Sequence, residues 1–159
     1  MSRRYSIFFN GTLANAGGDV DLVEVLPADD KPIKLRGFKF GQTSELGDSA
    51  EEQIRVSIIR LGATVTGGSG GSAVTPSPED SADTAAGCAV EANNTTVATT
   101  SGTSTTLEEF AINLRAPFET WWPDSPAWKA KQAEALIIRC QTTVADDVSA
   151  QWTAFIEEE

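Results

Sequence analysis

The chain contains no histidine. That absence removes the commonest general base and the commonest transition-metal ligand together, which argues against a hydrolytic triad and against a zinc site. Basic residues are scarce as well: 12 Lys and Arg stand against 23 Asp and Glu, for a net charge of -11. Such a field repels phosphate backbones and anionic lipid surfaces, so neither nucleic acid nor membrane is an expected partner. No apolar run approaches the length of a transmembrane helix. Tyr5-Ser-Ile-Phe-Phe9, behind Arg3 and Arg4, is far shorter than the apolar core of a secretory signal. The expectation is a soluble chain without an export signal. Two cysteines, Cys88 and Cys140, permit at most one internal disulfide, with a pair of buried free thiols the favoured alternative.

What the chain does have is β grammar. With 159 residues and 40% hydrophobic content it is long enough for one real core and too short for two, so a single domain over 1–159 is expected, with a flexible loop insertion around 62–86. Tyr5 to Phe9 reads as a first strand ending at the turn dipeptide Asn10-Gly11. Val20 to Leu26 reads as a second, stopped by Pro27. In the third, Ile33 and Leu35 occupy one parity and Phe38 and Phe40 the other, which predicts a bulge near Gly37. Ile54, Val56 and Ile58 alternate with polar neighbours and give the cleanest strand signal.

Between these strands lie Glu45 to Glu52, an acidic loop, and Gly67 to Ser72, a linker-like run followed by the extended Thr75-Pro-Ser-Pro78. Cys88 to Ala92 is a further strand candidate. The Thr- and Ser-rich stretch up to Thr106 fits either disorder or an edge strand. Phe110, Ile112 and Leu114 then share a parity up to Pro117, and Phe118 to Trp128 reads as a packed loop or short edge segment. Ala127 to Ala133 has room for one helical turn. Ala135 to Thr143 and Ser149 to Ile156, around Ala145-Asp-Asp147, suggest a closing hairpin. About eight strands with little helix indicate an all-β fold, an antiparallel two-sheet sandwich or a closed barrel, and long loops favour the jelly-roll kind of sandwich.

Candidate sites are few. Trp121, Trp122 and Trp128 suit either an aromatic platform for sugar rings or core and interface anchoring, and the second reading carries more weight. Asp146 with Asp147, or Glu45 with Asp48 and Glu51, contain the carboxylates a calcium ion takes, but neither set matches an EF-hand loop and both read better as solvated turns. No acidic pair stands out for glycosidase chemistry, and the Gly67 to Ser72 run lacks the lysine and following helix of a phosphate loop. Asn10, Asn93 and Asn94 sit in glycosylation-type sequons that read here as turn chemistry. No catalytic residue, metal or cofactor is assigned, and an enzyme is the least favoured class. The basic segment of Arg3 and Arg4, with Tyr5, is a contact candidate in an otherwise acidic chain, the alternative being a frayed terminus.

Asp21-Leu-Val-Glu-Val, Gly41-Gln-Thr-Ser-Glu-Leu-Gly-Asp-Ser-Ala-Glu-Glu, the Gly67 to Ser72 loop with Thr75-Pro76, and Asn93-Asn-Thr-Thr96 together resemble a family of small β-rich virion structural proteins of tailed bacteriophages. The resemblance spans most of Asp21 to Thr96 and returns weakly at Thr153 to Glu158; the segment Phe118 to Trp128 departs from it. It implies a head decoration or cement protein on the outer capsid surface, a homo-oligomer with a trimer favoured, whose partner is the major capsid protein. The alternative is a receptor- or glycan-binding module of a tail or fibre.

Overall fold

The computed structural model describes residues 2–15, 17–44, 51–123 and 128–159. Its core strands are β1 (Arg3–Leu13), β2 (Val20–Leu26), β3 (Ile33–Gln42) and β4 (Gln53–Leu61) in the first half of the chain. The two-residue β5 (Val65–Thr66), β6 (Ser72–Ala73) and β7 (Ser77–Pro78) follow, then β8 (Ala89–Asn94) and β9 (Thr99–Thr100). The remainder is β10 (Ser104–Asn113), β11 (Phe118–Trp121), β12 (Lys129–Ala130), β13 (Ala135–Cys140) and β14 (Val148–Glu158).

These strands form an all-β antiparallel sandwich. The front sheet has the order β11-β3-β14-β1-β7, with β12 also on the β11 edge of β3. The back sheet runs β10-β4-β13-β2-β8-β6, and β5 pairs with β9 apart from both. The chain alternates between sheets, β1 front, β2 back, β3 front, β4 back, then β10 back, β11 front, β13 back and β14 front. That wrapped order is consistent with a jelly roll.

Alternation makes the core. Tyr5 and Ile7 of β1, Trp152, Ala154 and Ile156 of β14, and Phe38 and Phe40 of β3 point inward and meet Ile54, Val56 and Ile58 of β4 with Leu136 and Ile138 of β13. Trp152 is almost fully buried, stacks on Phe40 with ring centroids 6.1 Å apart, and donates its indole N–H to the Leu22 carbonyl of the back sheet at 2.9 Å. The β3 bulge falls where the parity break predicts it. Phe155 pairs with Gly37 and Ile156 with Leu35, so Arg36 is the extra residue.

Residues 62–103 form a long connection between β4 and β10; it supplies β6 and β8 to the back sheet and β7 to the front, and its segments around Val65, Gly68 and Ala98 lie over the outer side of β4, β13 and β2. Ile59, Leu61, Ala135 and Ile137 point away from the main core and are buried in a second cluster with Ala98 and Val65 from that connection. The linker-like glycine run takes part: Ser69 bridges Thr96, Ser72 pairs with Ala92, and the following Ser77 pairs with Ser6 at the front-sheet edge. Both cysteines are free and buried, and burial pushes the Cys88 thiol up to about 11 and the Cys140 thiol upward as well.

Three local expectations are corrected. Asn10-Gly11 is no turn, because β1 continues to Leu13 in full register with β14. Gly11 instead makes room for the Phe9 ring, whose Cε1 would lie 2.4 Å from a Cβ there. Strands β13 and β14 form no hairpin; each is central in a different sheet, flanked by β4 and β2 or by β3 and β1. Residues 141–147 cross from the back sheet to the front, which lets each strand take two neighbours in its own sheet. Lastly, Lys129–Ala130 pairs with Lys34 and Ile33 rather than continuing a helical turn; Ala127 lies outside the described residues.

Candidate functional site

The chain's own insertion covers part of the back sheet's outer side, whereas the outer face of the front sheet carries exposed aromatics. Register sets its pattern in rows across β1, β14, β3 and β11. One row reads Ser6, Phe155, Gly37, Trp121, and the next Phe8, Thr153, Lys39, Glu119. Phe8 (56% exposed) and Trp121 (50%) are the exposed large hydrophobics among the described residues. Both lie on this face, and half-buried Phe155 stands between them.

The aromatic row has a built geometry. The Trp121 indole lies over Gly37, and its ring centroid is 4.6 Å from that of Phe155 at a tilt of 32°. Lys39 Nζ sits 5.4 Å from the Trp121 ring and 5.6 Å from that of Phe155, within cation–π range. Trp121 donates its indole N–H to Glu119, which also pairs with Lys39 at 3.4 Å. Those two partners, Trp121 first, hold the Glu119 carboxyl below its ordinary range.

Hollows lie on either side of this ridge. A cleft of ≈ 440 Å³ is lined by Arg4, Arg36, Glu79, Trp121, Trp122 and Phe155 among others. The other, of ≈ 380 Å³, is lined by Phe8, Lys39, Gly41, Pro117 and Gln151 among others. At the rim, Arg4 and Arg36 share the Glu157 carboxylate at 3.8 and 3.6 Å, and Lys34 and Lys129 both pair with Glu159. Hydrogen bonds from Lys129 and Lys34 hold the Glu159 carboxyl low.

The sequence-derived candidates separate on this framework. Trp121 and exposed Arg4 belong to the outer front-sheet face. Trp122 turns the other way: it is 9% exposed, donates its N–H to Glu108 at 2.7 Å, and meets half-buried Trp128 edge-on with centroids 6.0 Å apart. The three tryptophans therefore form no common platform. Tyr5 is in the core with its hydroxyl donating to the Thr84 carbonyl at 3.0 Å, and Arg3 is tied to Asp83 and Thr84 at the β1 edge. Asp147 accepts the Asn15 backbone N–H, while Glu45 and Asp48 lie outside the described residues. Among the described residues no three acidic or cysteine side chains gather in a metal-sized group.

Phe8 and Phe155 were missed as surface residues, although the alternation that buries Ile7 and Ala154 puts them outside. A second missed feature is a buried carboxylate cluster under the insertion. Asp21 takes a fork of bonds from Arg139, at 2.6 and 3.2 Å, and the Ala98 N–H at 2.7 Å. Glu24 accepts the Gly68 N–H and the Asn94 amide, each at 2.9 Å. Burial raises the pKa of both acids, against the pull of those donors. The signal was present as two acids inside the otherwise apolar run Val20–Leu26. This cluster pins the glycine run to the back sheet.

No family model and no curated protein matches the chain. Among solved structures, a chain of "Structure of infectious bursal disease virus Gx strain" aligns at 14% identity and a TM-score of 0.22, over 99% of this chain and 41% of that one. This chain thus spans about two fifths of that neighbour's length, and a likeness at that score carries no argument.

Proposed function

We propose that this protein is a non-enzymatic structural component of a tailed-phage virion, a head decoration or cement protein that binds the major capsid protein on the outside of the shell and stabilises it. The observation that carries the proposal is the asymmetry of the sandwich: one sheet is partly covered by the chain's own insertion, while the other presents half-exposed Trp121 and Phe8 around Phe155. Exposed aromatics grouped on one face are the mark of a surface that meets another molecule. The wrapped strand order supports a jelly-roll sandwich, a fold that viral shells use widely. The resemblance of residues 21–96 to phage virion proteins supports the location. Repeated over a lattice, modest contacts add to a large stabilisation of the shell.

Self-association belongs to the same proposal, with a trimer favoured. Most sheet edges end in short strands of four residues or fewer, but β10 is a ten-residue strand at the edge of the back sheet. A long edge of this kind is a template for pairing with another copy.

A second reading, a receptor- or glycan-binding module of a tail or fibre, is favoured by one observation: Trp121 is half exposed beside Glu119, Lys39 and Arg36, an aromatic face ringed by polar groups. Quantitative mass spectrometry of density-purified particles of the source phage separates the two. Copies comparable to, or a simple fraction of, the capsid subunits support decoration. A handful of copies moves the protein to a tail or fibre, and its absence from particles sinks both.

A further inference from the structure

We infer that the outer front-sheet face is the docking face, and that the occupant is an acidic protein surface of the shell, with an apolar centre seated on the Trp121–Phe155–Phe8 ridge. The inference rests on the virion reading above and adds to it the face, the residues and the chemistry of the partner.

Charge complementarity selects the occupant. In a chain of net charge -11, five of the twelve basic residues lie on this face and its rim. Arg4, Lys34, Arg36, Lys39 and Lys129 stand there against four carboxylates, Glu79, Glu119, Glu157 and Glu159, a small excess of positive charge on a chain that is otherwise acidic. The remainder of the molecule is correspondingly more acidic. A cationic rim steers an acidic surface into place, and the aromatic ridge supplies the area removed from water.

Shape separates a protein from a small ligand. Four strands at sheet spacing, over about five residues each, give a face of roughly 15 by 20 Å. Its two hollows are open at the surface on either side of the ridge, whereas small-molecule sites enclose most of their ligand. Trp, Phe and Arg are also the residue types enriched at the centres of protein interfaces. A second copy packed face to face through a two-fold axis would bring two cationic rims together, which charge opposes.

The test uses purified chain and source-phage particles assembled without it, with binding read by co-sedimentation at rising NaCl. Wild-type chain binds, and binding weakens with salt. Trp121→Ala and Lys39→Glu each weaken binding by about tenfold or more, the range of interface anchors. Both alter exposed side chains, so circular dichroism and melting temperature stay close to wild type. Arg55→Glu, exposed on the outer side of β4 in the back sheet, binds as wild type does. If wild type binds and both variants bind equally well, the docking face is wrong and the virion reading stands. If wild type fails to bind, the virion reading falls and takes the docking face with it. Wild-type binding abolished by a soluble host-surface glycan, or self-association lost in Trp121→Ala by analytical ultracentrifugation, reassigns the face to those occupants and overturns the inference.

Discussion

The Trp121 indole lies across Gly37 on the neighbouring strand so closely that a Cβ at Gly37 would stand 2.5 Å from the ring's Cε3. The flat aromatic ridge therefore depends on a missing side chain. Gly11 plays the same part beneath Phe9 within β1. In both places an aromatic ring covers a glycine that would otherwise weaken a strand.

Gly37→Ala separates surface from stability. An alanine is better tolerated in a strand than glycine by about 0.5–1 kcal/mol, and the ring it displaces is free to swing into solvent. The melting temperature is expected to hold or rise slightly, while Trp121 becomes more accessible to acrylamide quenching. A large drop in melting temperature would show that the indole is locked in place by more than its contact with Gly37.

Asp21 and Glu24 are both buried, yet their amide variants should behave oppositely. Asp21→Asn leaves the Arg139 guanidinium without its carboxylate in an enclosed site, which costs about 3–5 kcal/mol. Glu24→Gln keeps an oxygen to accept the Gly68 and Asn94 donors and removes a charge that burial disfavours. Chemical denaturation of the two variants at neutral pH checks this, and equal losses would contradict it.

The same residue sets a pH dependence. Burial raises the folded-state pKa of Glu24 above the ordinary glutamate value, so the native state holds the proton to higher pH than the unfolded chain does. Its contribution to stability is fully present below the unfolded value and is lost as pH rises through the folded one. The advantage of Glu24→Gln over wild type should therefore grow in melting scans as pH rises from about 4 to 7. A constant difference across that range would place the titration elsewhere.

Trp152 ties the two sheets together. Trp152→Phe loses the hydrogen bond to the Leu22 carbonyl and leaves that acceptor in the core, with an expected loss of about 2–4 kcal/mol in urea unfolding. A loss below about 1 kcal/mol would show that the Leu22 carbonyl finds another partner.

Cys88 and Cys140 should be inert in the folded protein. Both are buried, and the Cys88 thiol is held protonated to about pH 11, so almost no thiolate exists at neutral pH. Thiol reagents are expected to modify neither until denaturant is added. Rapid labelling of the native chain would mean that the Cys88 strand or the Cys140 strand opens.

Much of the sandwich was legible in the chain. Alternation in Ile54, Val56 and Ile58 marked β4, and the parity break from Leu35 to Phe38 located the β3 bulge. Local pattern fails where a distant contact decides. Asn10-Gly11 has turn chemistry, but eleven residue pairs with β14 carry the strand through it. The spacing of β13 and β14 fits a hairpin or an arch between sheets equally well, and only their neighbours choose. The candidate site was half visible. Trp121 and Arg4 were in view, whereas separating Trp121 from Trp122 required knowing that β11 ends at Trp121 and that Trp122 donates its backbone N–H to Arg36. Phe8 and Phe155 were hidden because an apolar residue in a strand reads as core until the covering of each sheet is known.

The most direct measurement is an electron cryomicroscopy map of the source-phage particle at side-chain resolution. The account predicts many copies of this sandwich on the outer shell, with Trp121, Phe155 and Lys39 turned against an acidic surface of the major capsid protein and the insertion-covered sheet turned away. A map showing this face open to solvent, or showing the chain only at the tail, would contradict it.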